Sequence, residues 1–197
     1  MSYQNTEILE NLIREIKSCR ICESSLSLGP KPVFSVGPES KILVIGQAPG
    51  TKVHATGIPW NDLSGKELRR WLDVDAEVFY DTGIFSIIPM GLCYPGRGKR
   101  GDLPPRPECA PTWHNKLWQH LPNIKLTLLI GQYAQAYYLG KRRKSTLTDT
   151  VRSFEDYLPH YFPLIHPSPR NKFWHQSNPW FEQMVVPVLR EKVRILI

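Results

Sequence analysis

The 197-residue chain is 41% hydrophobic and 22% charged, enough apolar sequence for one well-buried core and too little length to argue for two, so a single domain over residues 1–197 is expected. No run approaches the roughly 20 apolar residues of a membrane helix, and Met1-Ser-Tyr-Gln-Asn-Thr-Glu7 lacks the basic-then-apolar layout of a signal peptide. A cytoplasmic protein with no membrane partner is expected, and its net charge of +7 suits a polyanion, although an ordinary basic surface explains charge alone equally well.

In chain order, residues 5–18 place Ile8, Leu9, Leu12, Ile13 and Ile16 at helical intervals, which predicts an amphipathic helix running into Cys19 and Cys22. Residues 23–40, rich in Ser, Gly and Pro, read as a loop. It leads to Lys41-Ile-Leu-Val-Ile45, an apolar run ending in the turn Gly46-Gln-Ala-Pro-Gly50, and hence to a buried central strand that delivers a loop. After Gly57-Ile-Pro-Trp-Asn61, the segment Ser64-Gly-Lys-Glu67 has the pattern of a capping box and predicts a helix through Leu72. Phe85-Ser-Ile-Ile88 reads as a second short strand.

From Pro89 to Pro111 the chain holds six prolines, four glycines and two cysteines, a composition that excludes helix or central strand over most of that length. A helix over 112–121, a strand Leu126–Ile130, a helix Gly131–Leu139 and a strand near 161–165 follow. Asn178 as N-cap with Pro179 at the first helical position opens a last helix that Pro187 should kink. Strands alternating with helices imply a mainly parallel sheet covered on both faces, with sites beyond the strands' carboxyl ends. The loops after residues 46, 88 and 165 should therefore converge. Basic residues collect at 97–100, 141–144 and 170–172, all in turn-like segments.

The four cysteines are spaced Cys19-x2-Cys22 and Cys93-x15-Cys109. In a reducing compartment they are not read as disulfides. Thiolates hold iron–sulfur clusters and zinc alike, and four unrelated buried thiols are the remaining reading.

Gly46-Gln-Ala-Pro-Gly50 followed by His166-Pro-Ser-Pro-Arg-Asn171 resembles the two active-site motifs of the uracil-DNA glycosylase superfamily in order and separation. The segment Gly57-x-Pro-Trp60 is similar to the Gly-Arg-Pro-Phe segment of the iron–sulfur (family 4) enzymes, and the cysteine spacing resembles theirs. The second motif looks like that of the single-strand-selective monofunctional uracil glycosylases. The resemblance implies an α/β/α sandwich around a four-stranded parallel sheet, a monomer acting on DNA in base-excision repair, and a 4Fe–4S cluster on Cys19, Cys22, Cys93 and Cys109.

It also implies roles for single residues. His166 would aim a donor at the pyrimidine carbonyl and stabilise the negative charge of the departing base. Gln47 would sit near the attacking water, within a cradle of Gly46, Ala48, Pro49 and Gly50. Trp60 would lie under the flipped base, a core tryptophan being the other reading, and Asn61, or another residue, would read the base edge in place of the family's asparagine. Ser168, Arg170 and Asn171 would contact DNA.

Two positions depart from the family pattern. The first motif carries Gln47 and Ala48 where related enzymes carry a glutamate or an aspartate, and an amide does not usefully accept a proton. The asparagine that reads uracil in family 4 aligns with Pro89. The leading expectation is hydrolysis of the glycosidic bond of uracil or a related deaminated base in DNA; the alternatives are a glycosylase-fold protein that binds DNA without releasing a base, and a nucleotide- or small-molecule-binding α/β protein with basic loops.

Overall fold

The computed structural model describes residues 3–99 and 101–197. Arg100, within the first basic cluster, and Met1-Ser2, at the start of the N-terminal segment, lie outside the described residues.

Helix α1 (Tyr3–Lys17) buries Leu9, Leu12 and Ile16 and leaves Ile8 exposed. Strand β1 (Ile42–Ile45) is buried throughout and feeds the turn 46–50, then α2 (Thr51–Thr56), α3 (Leu63–Leu72) and α4 (Ala76–Tyr80). Strand β2 (Phe85–Ile87) leads into the proline-rich segment, where a small hairpin forms from β3 (Arg97–Gly98) and β4 (Gly101–Asp102). Helix α5 (Cys109–Trp118) starts three residues earlier than the sequence reading placed it, because Pro111 sits in its first turn, where a missing N–H costs nothing. Strand β5 (Leu126–Ile130) and α6 (Gly131–Leu139) fall as expected. Two short helices that periodicity did not reveal, α7 (Leu147–Arg152) and α8 (Lys172–Ser177), flank strand β6 (Tyr161–Leu164).

The strands form one parallel sheet in the order β2-β1-β5-β6, so the apolar run at 42–45 is central. Its residues alternate between two cores, as strand geometry requires. Ile42 and Val44 join Leu68, Trp71, Phe79 and Phe181 on one face; Leu43 and Ile45 join Ile16, Trp113 and Leu117 on the other. The result is the expected three-layer α/β/α sandwich.

The last helix differs in detail. Asn178 does not cap it; the Asn178 side chain donates to the Trp174 carbonyl and accepts from Trp180 Nε1. Residues Phe181–Val185 run as a π-helical turn before α9 (Val186–Arg194). Pro187 follows directly, and the widened turn accommodates the hydrogen bond and the space that its ring removes.

Candidate active site

All the parallel strands end on the same edge, and the loops after β1, β2 and β6 meet there. Gly46, Gln47, Ala48, Pro49 and Gly50 from the first loop, Ile87 from the end of β2, Pro89 from the second loop, and His166 from the third line one cavity of ≈ 40 Å³, together with Trp60 and Asp62. It shares Gln47, Ala48, Gly50, Asp62 and His166 with an open groove of ≈ 680 Å³ lined further by Lys52, Arg97, Asp102, Ser168, Arg170 and Asn171.

The local geometry explains the glycines. A Cβ on Gly46 would lie 2.8 Å from Trp60 Cζ2, and one on Gly65 would lie 1.7 Å from the Trp60 carbonyl oxygen. The missing side chains let Trp60 lie against the motif loop. Trp60 itself adopts φ 56°, a conformation uncommon for a bulky residue and held by this packing. Its ring meets the His166 ring at 5.6 Å between centroids with a 31° tilt.

His166 follows the buried end of β6 and is half-buried. Its backbone carbonyl accepts from Asn171 Nδ2 at 2.6 Å, while Ser168 Oγ accepts from the Arg170 N–H at 3.3 Å. The second motif is thus braced by its own side chains, and Asn171, expected to contact DNA, spends its amide on holding the loop. Burial pushes the His166 imidazole below the ordinary histidine value, with the Asp62 carboxylate pulling weakly the other way. The ring is therefore neutral near pH 7 and offers one N–H donor.

Gln47 Nε2 donates to the Leu103 carbonyl at 3.1 Å, which ties the motif loop to the chain just after the β3–β4 hairpin and leaves the Gln47 carbonyl as an acceptor. Pro89 lines the cavity, but its own carbonyl is engaged from behind by His114 Nε2 at 3.1 Å. Because a carbonyl can only accept, His114 donates through Nε2 and its Nδ1 accepts from the Tyr138 hydroxyl at 2.7 Å.

A profile of the uracil DNA glycosylase superfamily matches residues 34–190, which include both motif loops and every strand. The chain belongs to this superfamily. Membership points to glycosylase chemistry on uracil-like bases in DNA.

Within that glycosylase frame, the sequence reading missed Asp62 and chose Asn61, which lines neither the cavity nor the groove. The sequence signal was that of a helix cap alone. Asp62 lies three residues before Gly65 at a helix start, and its Oδ1 accepts from the Gly65 N–H at 2.8 Å; it is the N-cap of α3, in place of the expected Ser64 box. Lys52 also reaches the groove unannounced. The basic cluster 141–144 does not belong to it: α6 runs away from the strand ends, and Lys144 is paired with Asp156 at 2.7 Å. Among the described residues no helix is long and apolar enough to cross a membrane.

The four cysteines, free of disulfides, line a single separate cavity beneath α1 and the start of α5. The Leu92 N–H donates to Cys109 Sγ at 3.3 Å. Burial pushes the Cys93 thiol up to about 11 and the Cys109 thiol up to about 12. Among the described residues, no three His, Cys, Asp or Glu side chains gather as tightly as one metal ion would require.

Proposed function

We propose that the protein is a monofunctional DNA glycosylase that flips uracil or a related deaminated base out of the duplex and hydrolyses its glycosidic bond, working as a monomer. The observation that carries this reading is the convergence of His166, Gln47 and Trp60 on one cavity at the head of a groove bearing Lys52, Arg97 and Arg170. The base enters the cavity against the Trp60 ring. The neutral His166 donor holds charge developing on the pyrimidine oxygen, as an oxyanion hole does. Lys52 and Arg97 steer and hold phosphates, and Arg170, on the rim beside Gly101, props the gap the flipped nucleotide leaves.

Single- and double-stranded oligonucleotides carrying uracil, hypoxanthine or xanthine test this directly. Abasic sites are expected from at least one of them; their absence from all would sink the enzymatic reading. That outcome, with salt-dependent DNA binding retained, would favour a non-cleaving glycosylase-fold protein, a reading motivated by the absence of any carboxylate in 46–50 and by Pro89.

The relationship to the family 4 enzymes is also part of this proposal. The chemistry of the donor set fits an iron–sulfur cluster: four sulfurs around one apolar cavity, one of them receiving a backbone N–H. Cys19, Cys22, Cys93 and Cys109 would hold the cluster, and its contribution would be structural, fastening the end of α1 to the proline-rich segment.

A further inference from the structure

The first motif has no carboxylate, yet the cavity does. Asp62 lines both the enclosed cavity and the groove, and with Gln47, Ala48, Gly50 and His166 it forms the boundary the two spaces share. Its Oδ1 is fixed by the Gly65 N–H at 2.8 Å, which anchors the carboxylate to the first turn of α3. Oδ2 takes no hydrogen bond or ion pair among the described residues. Ala48, with only a methyl group, leaves open the space that Asp62 borders from the opposite loop. The other acidic side chain in the groove, Asp102, is exposed and borders only the open part.

We infer that Asp62 replaces the missing motif carboxylate and acts as the group that orients and deprotonates the attacking water, a role that rests on the glycosylase reading above. In the step, the bond between C1′ and the base nitrogen breaks and its electron pair leaves on the base. The water oxygen bonds to C1′, and one water proton passes to Asp62. The Gln47 carbonyl accepts from the water's second hydrogen, which remains as the new hydroxyl. The charge on the base rests against the His166 donor until solvent protonates it.

The test uses Asp62→Asn and Asp62→Ser, because Asn and Ser both serve as N-caps and keep α3 intact while removing the carboxylate. Single-turnover base release is measured on whichever uracil, hypoxanthine or xanthine oligonucleotide the wild type cleaves, beside DNA affinity and thermal melting. Both variants are expected to slow release by about 100-fold or more, the usual weight of a general base, with affinity and melting unchanged. Added formate should restore part of the Asp62→Ser rate, since serine leaves room for it, and none of the Asp62→Asn rate. Release within about threefold of wild type in both variants, or a comparable loss in Asp102→Asn with Asp62→Asn active, overturns the assignment. So does a loss of DNA affinity in step with the lost rate, which would make Asp62 a DNA-positioning residue. A wild type that cleaves none of the substrates overturns the glycosylase reading and this inference with it; an active wild type with an active Asp62→Asn overturns this inference alone.

Discussion

Burial holds the His166 ring neutral across the physiological range, and its donor therefore does not depend on picking up a proton. Base release should stay level as pH falls from 8 to about 6.5, the ordinary histidine value, where an imidazolium donor would make it rise. His166→Ala should slow release by about 100- to 1,000-fold, the cost of losing one donor to a developing anion, read in a single-turnover assay. The glycines around Trp60 differ in what they tolerate. At Gly46 a methyl meets a ring edge at 2.8 Å, which a tilt of the indole can relieve; at Gly65 it meets backbone at 1.7 Å, which nothing can relieve without moving the chain. Gly65→Ala should therefore cost about 3 kcal/mol or more by urea denaturation, while Gly46→Ala should cost less and act chiefly on base release. Motif residues such as Gly46 and His166 were legible in the sequence because each stands at the end of an apolar run. Asp62 was not, because a side chain that caps a helix and borders a cavity looks, in sequence, like an ordinary cap.

The elements explain which basic residues matter. The β3–β4 hairpin brings Arg97 to the groove and packs Gly101 beside Arg170, whereas the cluster at 141–144 follows the far end of α6. Arg97→Ala and Arg170→Ala should each weaken DNA binding and lower the slope of log affinity against log salt by about 1, with Arg143→Ala unchanged; fluorescence anisotropy across a salt series decides this. Charge runs in a sequence show only that cations are present. Their grouping into a groove depends on a two-strand hairpin too short, and too rich in glycine, to have a period. The last helix makes the same point: Pro187 announced an irregularity at the right place, but only the packing of Phe181 and Val185 into the core fixed it as a π turn.

For the molecule as a whole, His114 makes stability depend on pH. Burial behind Pro89 drops it to about 4, while the unfolded chain takes up that proton near 6.5. The unfolded state then binds more protons between these values, so stability is fully present above pH 6.5 and is lost as pH falls toward 4, by on the order of 3 kcal/mol. Urea denaturation across this range should show the loss, and His114→Gln should flatten it; His54, His166 and His175, also lowered by burial, leave a residual slope of the same sign. A protein purified anaerobically should be brown, with visible absorbance and bound iron that Cys93→Ser removes; neither iron nor zinc in the wild type would dismiss a metal at the four thiols.

The apolar runs, their spacing and the turn residues that end them determined the α/β class, the central position of residues 42–45 and the meeting of three loops, because burial on both faces of a parallel sheet leaves an unbroken hydrophobic signature. The tertiary structure alone decided that Asp62 rather than Asn61 faces the cavity, that Pro89 is backed by His114, and that only some of the basic residues share the groove. These depend on the direction of individual side chains and on contacts between residues far apart in the chain, which local pattern does not encode.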